Sequence, residues 1–123
     1  MPDKQIGQIE WRDLTINDAV GVKDFYSAVV GWTSEPVSMG EYDDFIMKTP
    51  ESGETIAGVC HARGGNAEIP PQWMMYVRVA DVAASVEQVQ VLGGAVLLGP
   101  RTMGDETYYV IRDPAGAVLT IFS

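Results

Sequence analysis

The chain repeats itself. Shifted by 63 positions, its second half lies over its first without a gap. Asp18 falls on Asp81, Gly31 on Gly94 and Gly53 on Gly116. The apolar pattern repeats as well: Leu14 and Ile16 fall on Val77 and Val79, Val29 on Leu92, Phe45 on Tyr108. This period exceeds that of solenoid repeats, which run about 20–50 residues. Two copies fill all 123 residues. The repeat predicts one domain, 1–123, made of two similar halves about a pseudo-twofold axis. A groove near that axis is where function is sought.

Local patterns give each half the same order of elements. Gln8 to Ile16 read as a strand. Asn17 and Asp18 offer a helix cap. Val22, Phe25, Tyr26, Val29 and Val30 follow as a core-facing helix stripe, with Gly31 just past its end. Trp32–Val37, Tyr42–Lys48 and Glu54–His61 read as strands, with a turn over Thr49–Gly53. Arg63 to Gln72 contains two Gly and two Pro and reads as a linker. In the second half, Trp73–Val79 is a strand and Asp81 a cap. Val82, Val86, Val89 and Leu92 form a helix stripe ended by Gly93 and Gly94. Ala95–Leu98, Thr107–Arg112 and Ala117–Phe122 are strands, the last two joined by the turn Asp113–Gly116. Each half is βαβββ: module one spans about 6–62, the linker about 63–72 and module two about 73–123. Helices on one face of mixed sheets make an α+β domain.

Composition narrows the partners. The chain is 46% hydrophobic, so it can build an ordinary core. No apolar run approaches the ~20 residues of a membrane span. The start, Met1 to Gln5, is polar and lacks a signal-peptide core. A cytoplasmic protein with no membrane partner is expected. Cys60 is the only cysteine, so no disulfide forms within one chain. There are 17 acidic and 8 basic residues, a net charge of −9. Nucleic acid needs a basic footprint and is excluded. A neutral or cationic ligand is favoured over a polyanion.

Certain residues in this pattern carry a resemblance. They are Leu14-Thr15-Ile16-Asn17-Asp18, then Phe25-Tyr26, then Val30-Gly31-Trp32. In the second half they are Val77-Arg78-Val79-Ala80-Asp81, Gly93-Gly94 and Asp113-Pro114-Ala115-Gly116. In this order, doubled, they resemble the vicinal-oxygen-chelate superfamily of glyoxalases, bleomycin-resistance proteins and extradiol dioxygenases. The resemblance implies two tandem modules curling into an open cup, with the site inside it. It also implies four metal-ligand positions. Here these hold Trp11, Met74, Thr120, and Ala57 (or Gly58 if the register slips by one). Tryptophan, alanine and glycine offer a metal nothing. A thioether is a poor ligand for hard divalent ions, and one hydroxyl cannot hold one. No metal and no other cofactor is expected.

Strand alternation, with Leu14 and Ile16 on the helix side, turns Trp11 and Asp13 toward the cup. The same rule selects Met74, Tyr76 and Arg78, then Thr120 and Phe122. Cys60 joins them from the first half. This lining is aromatic and apolar with a few polar groups, as small-molecule pockets are. The alternative is that these residues fill the cup as core. Asp13 and Arg78 orient a ligand or pair with each other. Trp11 is the expected stacking platform. Trp32 and Trp73 read as core and rim, His61 as a strand-end residue, and Cys60 as an inert thiol. Glu41, Asp43 and Asp44 beside Tyr42 read as a solvated hairpin. The resemblance favours a metal-independent, bleomycin-resistance-like binder of a small aromatic molecule, working as a homodimer. The rival is a glyoxalase-type lyase, isomerase or dioxygenase, which would need a non-standard metal site built from residues such as Glu10, Asp13 or His61.

Overall fold

A computed structural model of the chain describes residues 4–123; the first three residues of the polar start lie outside the described residues. The element order is β1 (Ile9–Ile16), α1 (Ala19–Val30), β2 (Thr33–Ser38), β3 (Asp43–Lys48), β4 (Thr55–His61), β5 (Trp73–Arg78), α2 (Val82–Val91), β6 (Ala95–Met103), β7 (Glu106–Arg112) and β8 (Val118–Phe122). The α+β class and the doubled βαβββ order are as the sequence predicts. No helix among the described residues is long and apolar enough to cross a membrane.

The chain divides into two compact units. One is Arg12–Trp73; the other joins Met74–Ser123 to the segment ending at Trp11. The boundary therefore falls inside β1. In the first unit the strand order is β2-β3-β4-β1; in the second it is β6-β7-β8-β5. The hairpin pairings are antiparallel, whereas β1 with β4 and β5 with β8 are parallel.

Both helices begin where the sequence places them. The Asp18 carboxylate accepts from the Gly21 N–H at 3.0 Å, and the Asp81 carboxylate accepts from the Ala83 and Ala84 N–H groups. Each cap satisfies donors that the first helical turn leaves unpaired. The helix ends differ from the repeat. Gly31 has φ 89°, and its counterpart in the left-handed region is Gly93, at φ 92°, rather than Gly94. Only glycine enters that region without a Cβ clash.

The expected α1 stripe is rotated. Ala19 is fully buried, and Val22, Lys23 and Tyr26 are partly buried, while Phe25, Val29 and Val30 are more than half exposed. The spacing is still i, i+3, i+4, i+7, but it starts one turn earlier, at the cap. In α2 the buried side runs Val82, Ser85, Val86 and Val89, and Leu92 is exposed. Strand β6 runs to Met103, past the expected Leu98, because pairing with β7 resumes at Arg101 beyond the irregularity at Gly99-Pro100.

In the first unit Ala19, Phe45, Met47 and Val59 form the core, with Ile16, Tyr26, Trp32 and Trp73 against it. The Trp73 Nε1–H donates to the Tyr26 hydroxyl at 3.0 Å. Trp73 also stands edge-on to Tyr26 and Trp32, with centroids 5.3 and 5.8 Å apart. Such ring pairs add about 0.5–1.5 kcal/mol each beyond area burial.

The gapless repeat fails at one point that matters. In the first unit Asp13 pairs with Gly58 and Leu14 with Val59. In the second, Tyr76 pairs with Thr120 and Val77 with Ile121, one residue short of the repeat. The terminal hairpin keeps its own register, with Tyr108 opposite Phe122 as Phe45 is opposite Val59. The whole β7–β8 hairpin is thus displaced by one residue against β5. A one-residue slip sends every side chain to the opposite face. Phe45 and Val59 face α1, but Tyr108 and Phe122 turn away from α2.

The rotated stripe gives a stability test. Met47→Ala, which empties a fully buried position, is expected to cost about 2–5 kcal/mol in denaturant melts. Val29→Ala, on the exposed side of α1, is expected to stay within about 0.5 kcal/mol of the parent. A large loss at Val29 would restore the original stripe.

Candidate functional site

The displaced hairpin builds an aromatic and charged face in the unit containing Met74–Ser123. The register places Tyr76, Arg78, Tyr108, Val110, Thr120 and Phe122 on that face. Tyr108 stacks on Phe122, with centroids 4.9 Å apart and planes 12° from parallel. Tyr76 stands edge-on to Tyr108 at 6.1 Å. The Arg78 guanidinium lies over the Phe122 ring at 4.6 Å, within cation–π range. Phe122, Thr120, Val110 and Met74 are buried beneath, while Tyr76, Arg78 and Tyr108 are half-buried.

Arg78 is held by two carboxylates. Its Nε–H donates to Glu10 Oε2 and its Nη2–H to Glu10 Oε1, a two-point clasp. The Nη2 group also donates to Glu106 Oε2 at 2.6 Å. Bidentate arginine–carboxylate pairs fix orientation as well as charge. Hydrogen bonding to Arg78 draws the Glu10 pKa below the ordinary carboxylate range. The two glutamates raise that of Arg78, so the guanidinium stays charged. Burial, then the nearby Glu106 charge, raises the Tyr108 phenol, which stays protonated.

Thr120 adds a different feature. Its Oγ1 is buried and has no hydrogen-bond partner among the described residues. An unpaired buried polar atom costs about 1–3 kcal/mol and calls for an explanation.

Of the residues singled out from sequence, Met74, Tyr76, Arg78, Thr120 and Phe122 all fall in this unit, and Arg78 contacts Phe122. Trp11, half-buried, belongs to the same unit through the start of β1, but among the described residues no ring contact links it to the aromatic set. Asp13 belongs to the other unit, and Arg78 takes Glu10 and Glu106 as its partners instead. Sequence reading missed Glu106 and Tyr108 and considered Glu10 only as a metal ligand. The alternation of Glu106, Tyr108 and Val110 was a usable signal, but the gapless repeat matched Tyr108 to Phe45, which faces α1.

The other unit fills the equivalent positions with acids. Asp13 pairs in register with Gly58, and Thr15 with Cys60. Asp44 is buried, and its Oδ1 accepts from the His61 N–H at 2.9 Å. Glu41 and Asp43 are exposed as expected of a solvated hairpin, and the correction falls on Asp44 alone, which the β3 pleat turns inward between Asp43 and Phe45. Burial foremost, then the charges of Asp13 and Asp44, push the Cys60 thiol up to about 12. The His61 ring packs edge-on to Tyr42 at 5.1 Å, and Arg63 lies over Tyr42 at 4.1 Å.

The metal positions implied by the resemblance do not fit a metal. The slip makes Gly58, not Ala57, the counterpart of Thr120, and Ala57 is buried on the α1 side. Trp11, Met74, Gly58 and Thr120 supply a single hydroxyl between them. Among the described residues no group of three or more His, Cys, Asp or Glu side chains is placed to hold an ion.

A groove of about 450 Å³ lies elsewhere, between α2 and the end of β7, against Ala84, Val89, Leu92, Ile111 and Pro114. Its two carboxylates are occupied: Asp81 caps α2, and Asp113 accepts from the Ala115 and Ala117 N–H groups. It is apolar, with little polar chemistry left over, whereas the aromatic face gathers charged, hydroxyl and ring groups together.

Comparison with known proteins agrees with this architecture. The model for the Glyoxalase/Bleomycin resistance protein/Dioxygenase superfamily matches residues 5–121. The chain is 30% identical over 118 residues to a Mycobacterium bovis protein named "Putative glyoxylase CFP32", covering 94% of this chain and 45% of that one. It is 29% identical over 132 residues to the anthracycline biosynthesis protein DnrV of Streptomyces peucetius, covering 94% and 46%. The chain thus spans about half the length of the curated relatives it matches. In fold it is similar to a methylmalonyl-CoA epimerase from Mycobacterium tuberculosis, with TM-score 0.51, 13% identity, and coverage of 99% and 91%.

The Cys60 environment sets a pH test. The fold disfavours the thiolate, so its contribution to stability is full below the ordinary thiol value of 9.0 and is lost as pH rises toward about 12. At pH 8.5 iodoacetamide is expected to label native Cys60 at least about a hundredfold more slowly than the unfolded chain. Equal rates would show that the thiol is not suppressed.

Proposed function

The chain belongs to the Glyoxalase/Bleomycin resistance protein/Dioxygenase superfamily, and on that premise we propose that it is a metal-independent binder of a small aromatic molecule. The observation that carries this reading is the ring set Tyr76, Tyr108 and Phe122 with Arg78 laid over it. Rings supply large contact area at low entropic cost, and the half-buried edges of Tyr76 and Tyr108 are where a planar ligand stacks. The unpartnered Thr120 hydroxyl supports the reading, since it lies in register with Tyr76 and lacks a hydrogen bond that a ligand or water supplies. Trp11 contributes a further stacking surface from β1, in the same unit. A relative named for anthracycline biosynthesis is in keeping with a polycyclic aromatic ligand.

Working as a homodimer in the cytoplasm belongs to the same reading. Phe25, Val29 and Val30 leave an apolar face of α1 exposed, and contiguous exposed apolar surface marks association sites. The enzymatic alternative, a glyoxalase-type lyase, isomerase or dioxygenase, is favoured by the names of the superfamily and of a relative rather than by a feature of the face.

Three measurements check the proposal. Titration with 9-(aminomethyl)anthracene is expected to quench intrinsic fluorescence saturably. Tyr76→Ala should weaken binding roughly two- to tenfold, in line with about 0.5–1.5 kcal/mol for one aromatic contact, and Trp11→Ala should remove much of the quenching. Undiminished binding in Tyr76→Ala would sink the site assignment. Light scattering is expected to give twice the 13.4 kDa chain mass, and a stoichiometric metal surviving dialysis would turn the reading toward the enzyme.

A further inference from the structure

We infer that Thr120 is the specificity-determining residue of this face: it selects a ring that carries an oxygen, a phenol or a ketone, over a hydrocarbon of the same shape. The inference rests on the aromatic-face reading above and names the class of ligand within it. Thr120 is only 2% exposed. Its neighbours on the face are Tyr76 across on β5, Val110 across on β7, and Val118 and Phe122 two positions away along β8. Side chains directly opposite one another stand about 4.5–5.5 Å apart at Cβ. Three of these four side chains are hydrocarbon, and the Tyr76 phenol sits at the far end of its ring. Thr120 Oγ1 is the one buried side-chain atom among the described residues that has no hydrogen-bond partner there.

Burial sets this hydroxyl apart from the phenols of the same face. Tyr76 and Tyr108 are half-buried. A half-buried phenol can bond to solvent, so a ligand oxygen only exchanges one bond for another, with a small net gain. Thr120 Oγ1 is shut away from solvent and unpaired, so a ligand oxygen supplies a bond that the empty face lacks. Removing the penalty of an unpaired buried group amounts to about a tenfold gain in affinity or more. A threonine hydroxyl both donates and accepts, so it answers a ketone and a phenol alike. A hydrocarbon in the same place leaves it unpaired, and a site with a buried polar group rejects the analogue that cannot bond to it. Reaching Oγ1 requires one ring to turn aside. That ring is Tyr76, which lies across from Thr120 and meets Tyr108 edge-on at 6.1 Å, whereas Tyr108 is held face to face on Phe122 at 4.9 Å.

The test pairs two neutral probes of one shape, 2-naphthol and 2-methylnaphthalene, which differ by a hydroxyl in place of a methyl. Calorimetric titration of the full chain gives the ratio of their affinities. Thr120→Val is expected to shift that ratio about tenfold toward 2-methylnaphthalene. Thr120→Ser, which keeps the hydroxyl, is expected to hold the parent's ratio. Thr120→Ala lacks the hydroxyl, is expected to follow Thr120→Val, and carries the measurement should that variant not fold. A merely structural role would weaken both probes together and leave the ratio fixed. Denaturant melts give an independent reading: Thr120→Val is expected to be as stable as the parent or more so, because it removes an unpaired polar atom. A clear loss of stability would show that Oγ1 is already hydrogen-bonded in the empty protein and would overturn the inference. If both probes bind and are weakened in Tyr76→Ala, but the ratio is unmoved in Thr120→Val and Thr120→Ala, the inference falls while the site stands. If neither probe binds the parent, the site reading falls and takes the inference with it.

Discussion

Strands send successive side chains to opposite faces, and each unit of this protein has a single helix to cover one of them. That pleat decides what every other residue is free to do. In the unit spanning Arg12–Trp73, the helix side takes Phe45, Met47 and Val59, and the other side receives Asp13, Thr15, Asp44 and Cys60. In the other unit, the displaced hairpin puts Ile111 and Ile121 under α2 and leaves Tyr108, Thr120 and Phe122 on the opposite face. One residue of displacement between β5 and β8 separates an acidic, thiol-bearing face from an aromatic one.

The electrostatics follow from those two faces. Arg78 is a half-buried cation whose partners come from β1 and β7, strands far apart in the chain. Burying a charge is costly unless it is paired. The two glutamates meet that requirement and exceed it. In the acidic unit, Asp44 is satisfied by a backbone N–H, and burial foremost, with Asp13 and Asp44 beside it, keeps Cys60 in its neutral form. Neither face offers the donor set of a divalent ion. The scaffold has kept its doubled order of elements while the two faces have acquired unlike chemistry.

Much of the fold was legible in the residues. Asp18 and Asp81 announced both helices because capping is a local transaction between a carboxylate and the next few N–H groups. Gly53 and Gly116 marked both turns for the same local reason. The exposed Phe25, Val29 and Val30 were misread, because a periodic apolar stripe says that a helix has a greasy side without saying what covers it. The face of Tyr108 was illegible for a different cause. Parallel register between β5 and β8 is a long-range fact with no local signature, and a gapless repeat argues for the wrong answer. Glu106 went unnoticed along with it. Arg78 was recognised as a charge on an inward face, but which acids answer it depends on that same register.

The clasp between Glu10 and Arg78 joins residues 68 positions apart. All of Arg12–Trp73 lies between them, and that stretch is itself a compact unit. The other unit is therefore discontinuous, with the segment ending at Trp11 divided in sequence from the strands it serves. Closing so long a loop costs entropy before any contact repays it. On the ribosome the inserted unit has all its residues first. The segment ahead of it must wait, unpaired, until β5 and β7 have been made. The order of synthesis thus favours one half folding early and the other only at the end, although the two share one ground plan.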